Sequence, residues 1–117
     1  MKKMILLLFM LGAVTINAQL NSKAQLLKDK LHEEYNLIKL LASEDWEGDH
    51  RMMLYTINNQ ADAYLKVLEF SKASNYDEEI LKKSLSEWQK IIEGKKCVDW
   101  KMVVYTYKNQ LKAKSEY

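Results

Sequence analysis

The residues of this chain whose chemistry is worth testing first are two histidines, one cysteine and a dense acidic turn. The turn reads Glu44-Asp45-Trp46-Glu47-Gly48-Asp49-His50, a set of carboxylates with one imidazole that would suit a cation. Calcium takes roughly six to eight oxygens, and an EF-hand loop needs glycine at its sixth position and glutamate at its twelfth. Counted from Glu44, the twelfth residue is Tyr55, so the spacing fails. A transition metal would want more nitrogen or sulfur than one histidine supplies. The turn therefore reads as solvated, its acids favouring the positive end of the helix that follows.

The other candidates fail in similar ways. His32-Glu33-Glu34-Tyr35-Asn36 approximates the His-Glu-x-x-His helix of zinc proteases, but Asn36 stands where the second histidine must be. His50 with Met53 or Met102 is a conceivable axial pair for haem. Methionines at helical spacing usually serve a core, however, and no Cys-x-x-Cys-His run exists for covalent attachment. Cys97 follows Lys95 and Lys96, which would lower a thiol pKa, yet no histidine is near in sequence to act as base. A plug in a turn is the plainer role for that cysteine. No Gly-x-Ser-x-Gly elbow is present. No catalytic residue, metal site or cofactor is expected, and the chain does not read as an enzyme.

The N-terminus speaks to compartment. Lys2 and Lys3 precede an apolar run from Met4 to Ile16, then Asn17-Ala18-Gln19. This is the charged, apolar and small-residue order of a secretory signal peptide over 1–18, with cleavage expected after Ala18. Thirteen apolar residues rise only about 20 Å as a helix, short of the roughly 30 Å hydrocarbon core. No stable membrane insertion is expected after cleavage. The run Ile16-Asn17-Ala18-Gln19 resembles the signal-peptide ends common in the Bacteroidota, which implies a secreted or periplasmic protein. The whole chain carries 18 Lys+Arg against 16 Asp+Glu, but Lys2 and Lys3 leave with the leader. The mature chain is then formally neutral, and nucleic acid is not an expected partner. Residues 19–117 are enough for one domain, and a lone cysteine offers no internal disulfide.

The chain repeats itself at a period of fifty residues. Asp49 to Ala63 aligns with Asp99 to Ala113, and seven of the fifteen pairs are identical. Gly48 and Gly94 fall just before the two segments, where helices end and turns begin. The spacing predicts a first helix from a Ser22 cap to Ser43 or Glu44, along the seam Ala24, Leu27, Leu31, Tyr35, Ile38, Leu41. A second helix follows the Asp49 cap and stops near Ser71 to Ala73. A third begins at Ser74 or Asn75, carries Leu81, Leu85, Trp88 and Ile92, and ends at Gly94. A fourth runs from the Asp99 cap into a basic tail. The expectation is an all-α antiparallel four-helix bundle of two tandem αα-hairpins, about 22–72 and 74–117, rather than an open two-repeat solenoid.

Within the repeat, Gln60 and Gln110 are expected to meet across a pseudo-twofold axis and fix helix register. Tyr55, Tyr105, Asn59 and Asn109 lie off the main seams. With Trp46 and Trp100 they are the candidate partner-binding residues, since so many aromatics exceed what a small core needs. The expected role is non-catalytic binding of a protein partner, of which an inhibitor or immunity-type protein is one form. A homodimer is another form of the association. The alternative is a small-ligand carrier with a cavity between the hairpins, lined by Tyr55, Gln60, Tyr107 and Gln110.

Overall fold

The computed structural model describes residues 19–117; the leader expected over 1–18 lies outside the described residues. Most helices begin where a side chain satisfies an orphan backbone donor. Asn21 Oδ1 accepts from Ala24 N at 2.8 Å ahead of α1, Ser22–Lys30. Helix α2 spans His32–Asp45 and has no side-chain cap. Asp49 Oδ1 accepts from Met52 N at 3.1 Å to start α3, His50–Phe70. Asp77 Oδ1 accepts from Ile80 N at 3.1 Å to start α4, Glu78–Glu87. Two short strands follow, β1 Gln89–Ile92 and β2 Lys95–Val98. Asp99 then caps α5, Trp100–Glu116, accepting from Met102 N at 3.3 Å. The two repeated aspartates thus do the same local work fifty residues apart.

The described residues are 72 % helix with a small two-stranded sheet, so the helical class holds. Two expected elements are corrected. The first helix is two, because Leu31 (φ −127°, ψ 63°) leaves the helical region. Its N–H still donates to Leu27 C=O at 2.8 Å and its C=O still accepts from Tyr35 N at 3.0 Å. The break is a one-residue joint that lets α1 and α2 meet different surfaces. The third helix stops at Glu87 rather than Gly94, and its expected last turn is a β-hairpin. Glu93 (φ 52°) and Gly94 (φ 76°) both sit at positive φ, as a two-residue turn matched to strand twist requires. The helical seam Leu81, Leu85, Trp88, Ile92 is a coincidence of spacing at its last member.

Helix α3 is the hub, packing on α1, α2 and α5. Tyr64 sets its edge against Trp100, ring centroids 4.9 Å apart, and Phe70 stacks on Tyr107 at 4.4 Å. These pairs advance together along both helices, so α5 runs beside α3 in the same sense. Helix α4 rests mainly on α5, and β2 lies on α2. The main core contains Leu27, Ile38, Ile57, Val103 and Trp100, with Ala24, Ala42 and Ala61 admitting close helix approach. A second cluster of Leu41, Ile92 and Cys97, with Leu37 and Leu40 against it, fixes the hairpin on α2. No described helix is long and apolar enough to cross a membrane.

Candidate partner-binding site

The repeated polar set does not assemble into one site. Gln60 is buried, and both ends of its amide are taken: Nε2 donates to Asp99 Oδ1 at 2.8 Å, and Oε1 accepts from Trp100 N at 2.6 Å. Gln110 is exposed beside Ile80, Lys83, Glu87 and Thr106. Gln60 therefore fixes register by clasping the start of α5, not by meeting Gln110. Trp100 is only 9 % exposed and donates its Nε1 to Glu34 Oε2 at 3.0 Å, which makes it a core residue. Tyr55 and Tyr105 are 59 % and 61 % exposed. Because Trp100 sits level with Gln60 and Tyr64, Tyr105 falls about 20 Å along the axis from Tyr55 at the helical rise per residue. Asn59 is half-buried and Asn109 exposed. These residues are distributed along two helices, and no common surface gathers them.

The residues expected to line a carrier cavity also part company. Tyr107 is buried, stacked on Phe70, and accepts from Asp77 N at 3.1 Å through its hydroxyl. With Gln60 buried beside Asp99 and with Tyr55 and Gln110 on the outside, the four do not converge.

What the fold does build is a groove between α2 and the β-hairpin. Burial of Ile92 and Cys97 against Leu41 pins the hairpin to α2, and the groove lies alongside that contact. The first part of the groove, about 560 Å³, is lined by Glu33, Leu37, Lys39, Leu40, Glu93 and Lys95 among others. It continues over Leu40 and Ser43 into a second part of about 410 Å³, with Glu44, Glu47, Ile91 and Ile92. Leu37 and Leu40 are half-buried, while Ile91 on β1 is 65 % exposed. Trp46, at the end of α2, is 38 % exposed and follows directly on this lining. The turn expected as a solvated cap thus does two things: Asp49 caps α3, and Glu44 and Glu47 border the groove.

Charge around the groove is organised. Lys90 Nζ lies 2.7 Å from Glu44 Oε1, and that carboxylate holds the Lys90 ammonium above the usual lysine range. The Cys97 thiol is pushed up by burial, with Glu34 and Glu44 adding to the effect. It is a plug: Lys90 and Lys95 act to lower the thiol pKa, and burial outweighs them. Glu34 is raised by burial, an effect that the Trp100 hydrogen bond opposes. Among the described residues no group of three or more His, Cys, Asp or Glu is placed to hold a metal ion. His32 is on the outside, its Nδ1 2.8 Å from Lys28 C=O.

The sequence singles out Trp46, in the acidic turn, as a candidate contact but gives no such role to Ile91 or Glu93. The signal that would have found them is Ile91-Ile92-Glu93-Gly94, a β-branched pair leading into a turn dipeptide. Comparison with protein-family models, curated proteins and solved structures gave no match.

Proposed function

We propose that the protein is a non-catalytic binding protein that engages a protein partner through the groove between α2 and the β-hairpin. The observation that carries this reading is a groove lined by half-buried Leu37 and Leu40 of α2, with Ile92 of the hairpin beside Leu40 and exposed Ile91 at its border. An apolar strip rimmed by charges of both signs has the core-and-rim make-up of a protein interface. The channel is open along its length, which suits a polypeptide better than a small molecule held on all sides. An inhibitor or immunity-type role is one form of such binding. The two halves of the chain are copies of one αα-hairpin in this reading, the second copy having exchanged its first helix's last turn for the β-hairpin.

The site would work outside the cytoplasm, after cleavage behind Ala18. Support for a mature chain starting at Gln19 comes from the residues that would follow the cut. Asn58 Nδ2 donates to Gln19 C=O at 3.2 Å, and Asn58 Oδ1 accepts from Asn21 N at 2.8 Å. Gln19 and Asn21 are thus tied to α3, which suits a chain that begins there.

Affinity capture from the native cell envelope tests the reading, using the wild-type chain and Ile91→Asp. Ile91 is exposed enough that the substitution leaves the fold intact. The wild type is expected to retain a stoichiometric protein that the variant loses at unchanged melting temperature. Equal capture by both chains, or by neither, overturns it.

A further inference from the structure

We infer that the groove receives an extended, basic segment of its partner, paired as an added strand on the free edge of β1. The inference rests on the groove being the partner site and specifies what enters it. The hairpin register sets which backbone groups are free: Ile92 faces Lys95 and Lys90 faces Cys97. Around a two-residue turn the closing pair is the hydrogen-bonded one, and pairs alternate from there. Ile92–Lys95 and Lys90–Cys97 are then bonded pairs. The same alternation continues one step further, where Asp99 N donates to Trp88 C=O at 2.9 Å. Gln89 and Ile91 fall between, so their N–H and C=O groups point away from β2. Helix α2 packs on β2, leaving the outer edge of β1 open beside the groove.

An open strand edge is a template for another strand, and proteins usually blunt it with a free lysine or a proline. Neither guards this edge. Lys90, the lysine of β1, is turned to Glu44 at 2.7 Å, and the sequence has no proline. Glu44 and Glu47 line the groove beside this edge and Glu93 stands at the hairpin turn, and among the described residues neither Glu47 nor Glu93 has an ion-pair partner. A segment lying there alternates its side chains between two surroundings. One set meets Leu40, Ser43 and the acids of α2, and the other lies beside Ile91. Alternating basic and β-branched residues satisfy both. An acidic segment would meet like charge at Glu47 and Glu93, beside this edge.

The test uses a synthetic peptide of about eight residues alternating Lys and Val, titrated to about 1 mM into the isotopically labelled mature protein. The expected result is amide shifts centred on Gln89 and Ile91, with slowed hydrogen exchange at Ile91 N–H. Affinity should fall with salt, and by about tenfold or more for Glu47→Lys or for a peptide with Glu in place of Lys. A peptide N-methylated on its pairing edge should not bind. No shift at Ile91, or equal binding by the acidic or N-methylated peptides, overturns the inference. If instead Ile91→Asp abolishes partner capture while these peptides fail, the groove is the partner site and its occupant is not an added strand. If Ile91→Asp leaves capture untouched, the groove reading itself falls.

Discussion

Gln60 and Asp99 are joined across thirty-nine residues of chain, the Gln60 amide donating to the carboxylate that caps α5. The same amide accepts from Trp100 N, so one side chain closes two of the polar groups at the start of the last helix. This clasp holds α5 beside α3 and carries the β-hairpin with it, because β2 ends one residue before Asp99. The geometry of the groove therefore depends on a glutamine that lies outside it.

Gln60→Ala should destabilise the fold by about 2–3 kcal/mol, since it leaves a buried backbone N–H unpartnered and removes a donor from a carboxylate. Gln110→Ala, on an exposed face, should change stability by less than about 0.5 kcal/mol. Urea denaturation of both variants checks the contrast. Equal effects would mean that the two glutamines play the symmetric role the repeat suggested.

Glu34 gives a pH signature of definite sign. Burial raises its folded pKa above the ordinary glutamate value, although the Trp100 hydrogen bond opposes the rise. A raised carboxyl stabilises the fold below its unfolded pKa, and that contribution is lost as pH rises through the folded value. Glu34→Gln keeps an oxygen for Trp100 Nε1 and removes the buried charge. The variant should be more stable than the wild type at neutral pH, with the difference closing below the glutamate range. Denaturation at pH 7 and pH 4 reads this directly; a less stable variant at pH 7 would show that the charged hydrogen bond outweighs desolvation.

Asp62 and Asp77 have the opposite sign. Lys23 lowers the first and Lys114 the second, with the Ile80 backbone N–H contributing to Asp77. Stability from a depressed carboxylate is present above its unfolded pKa and disappears as pH falls through the folded value. Asp62→Asn with Asp77→Asn should flatten the loss of stability below about pH 4, because neither amide can be protonated there. Asparagine at position 77 still caps α4, which separates the charge effect from the loss of the helix start.

Cys97 should be silent in the native state. It is buried against Leu41 and Ile92, with its thiol pushed up. A disulfide reagent such as dithionitrobenzoate at pH 8 should label it slowly in buffer and fast in denaturant. Rapid native labelling would return the thiol to the list of reactive groups.

How much of this was legible follows from where the signals are local. The Asp49 and Asp99 caps were readable because a cap is set by one side chain and the backbone three residues on. The joint at Leu31 was not, since Leu27, Leu31 and Tyr35 keep helical spacing straight through it. It arises from tertiary packing, with α1 held to α3 by Asn21–Asn58 and Lys23–Asp62. The hairpin was hidden for a related reason: Ile92 continues the seam of α4 while its partner, Lys95, lies beyond the turn. Trp100 reads as surface when the aromatics are counted against a small core, yet Glu34, sixty-six residues earlier, receives its N–H and buries it. Sites made by such distant pairs leave little periodic trace.

Site-specific photocrosslinking in the native host tests the central claim most directly. A benzoylphenylalanine placed at Ile91 or at Ser43, both in the groove lining, should give one discrete adduct with a larger protein. The same probe at Tyr105 or Asn109, on exposed parts of α5, should give none. Adducts from the α5 positions without adducts from the groove, or a groove adduct only at twice the mass of the protein itself, would contradict the account.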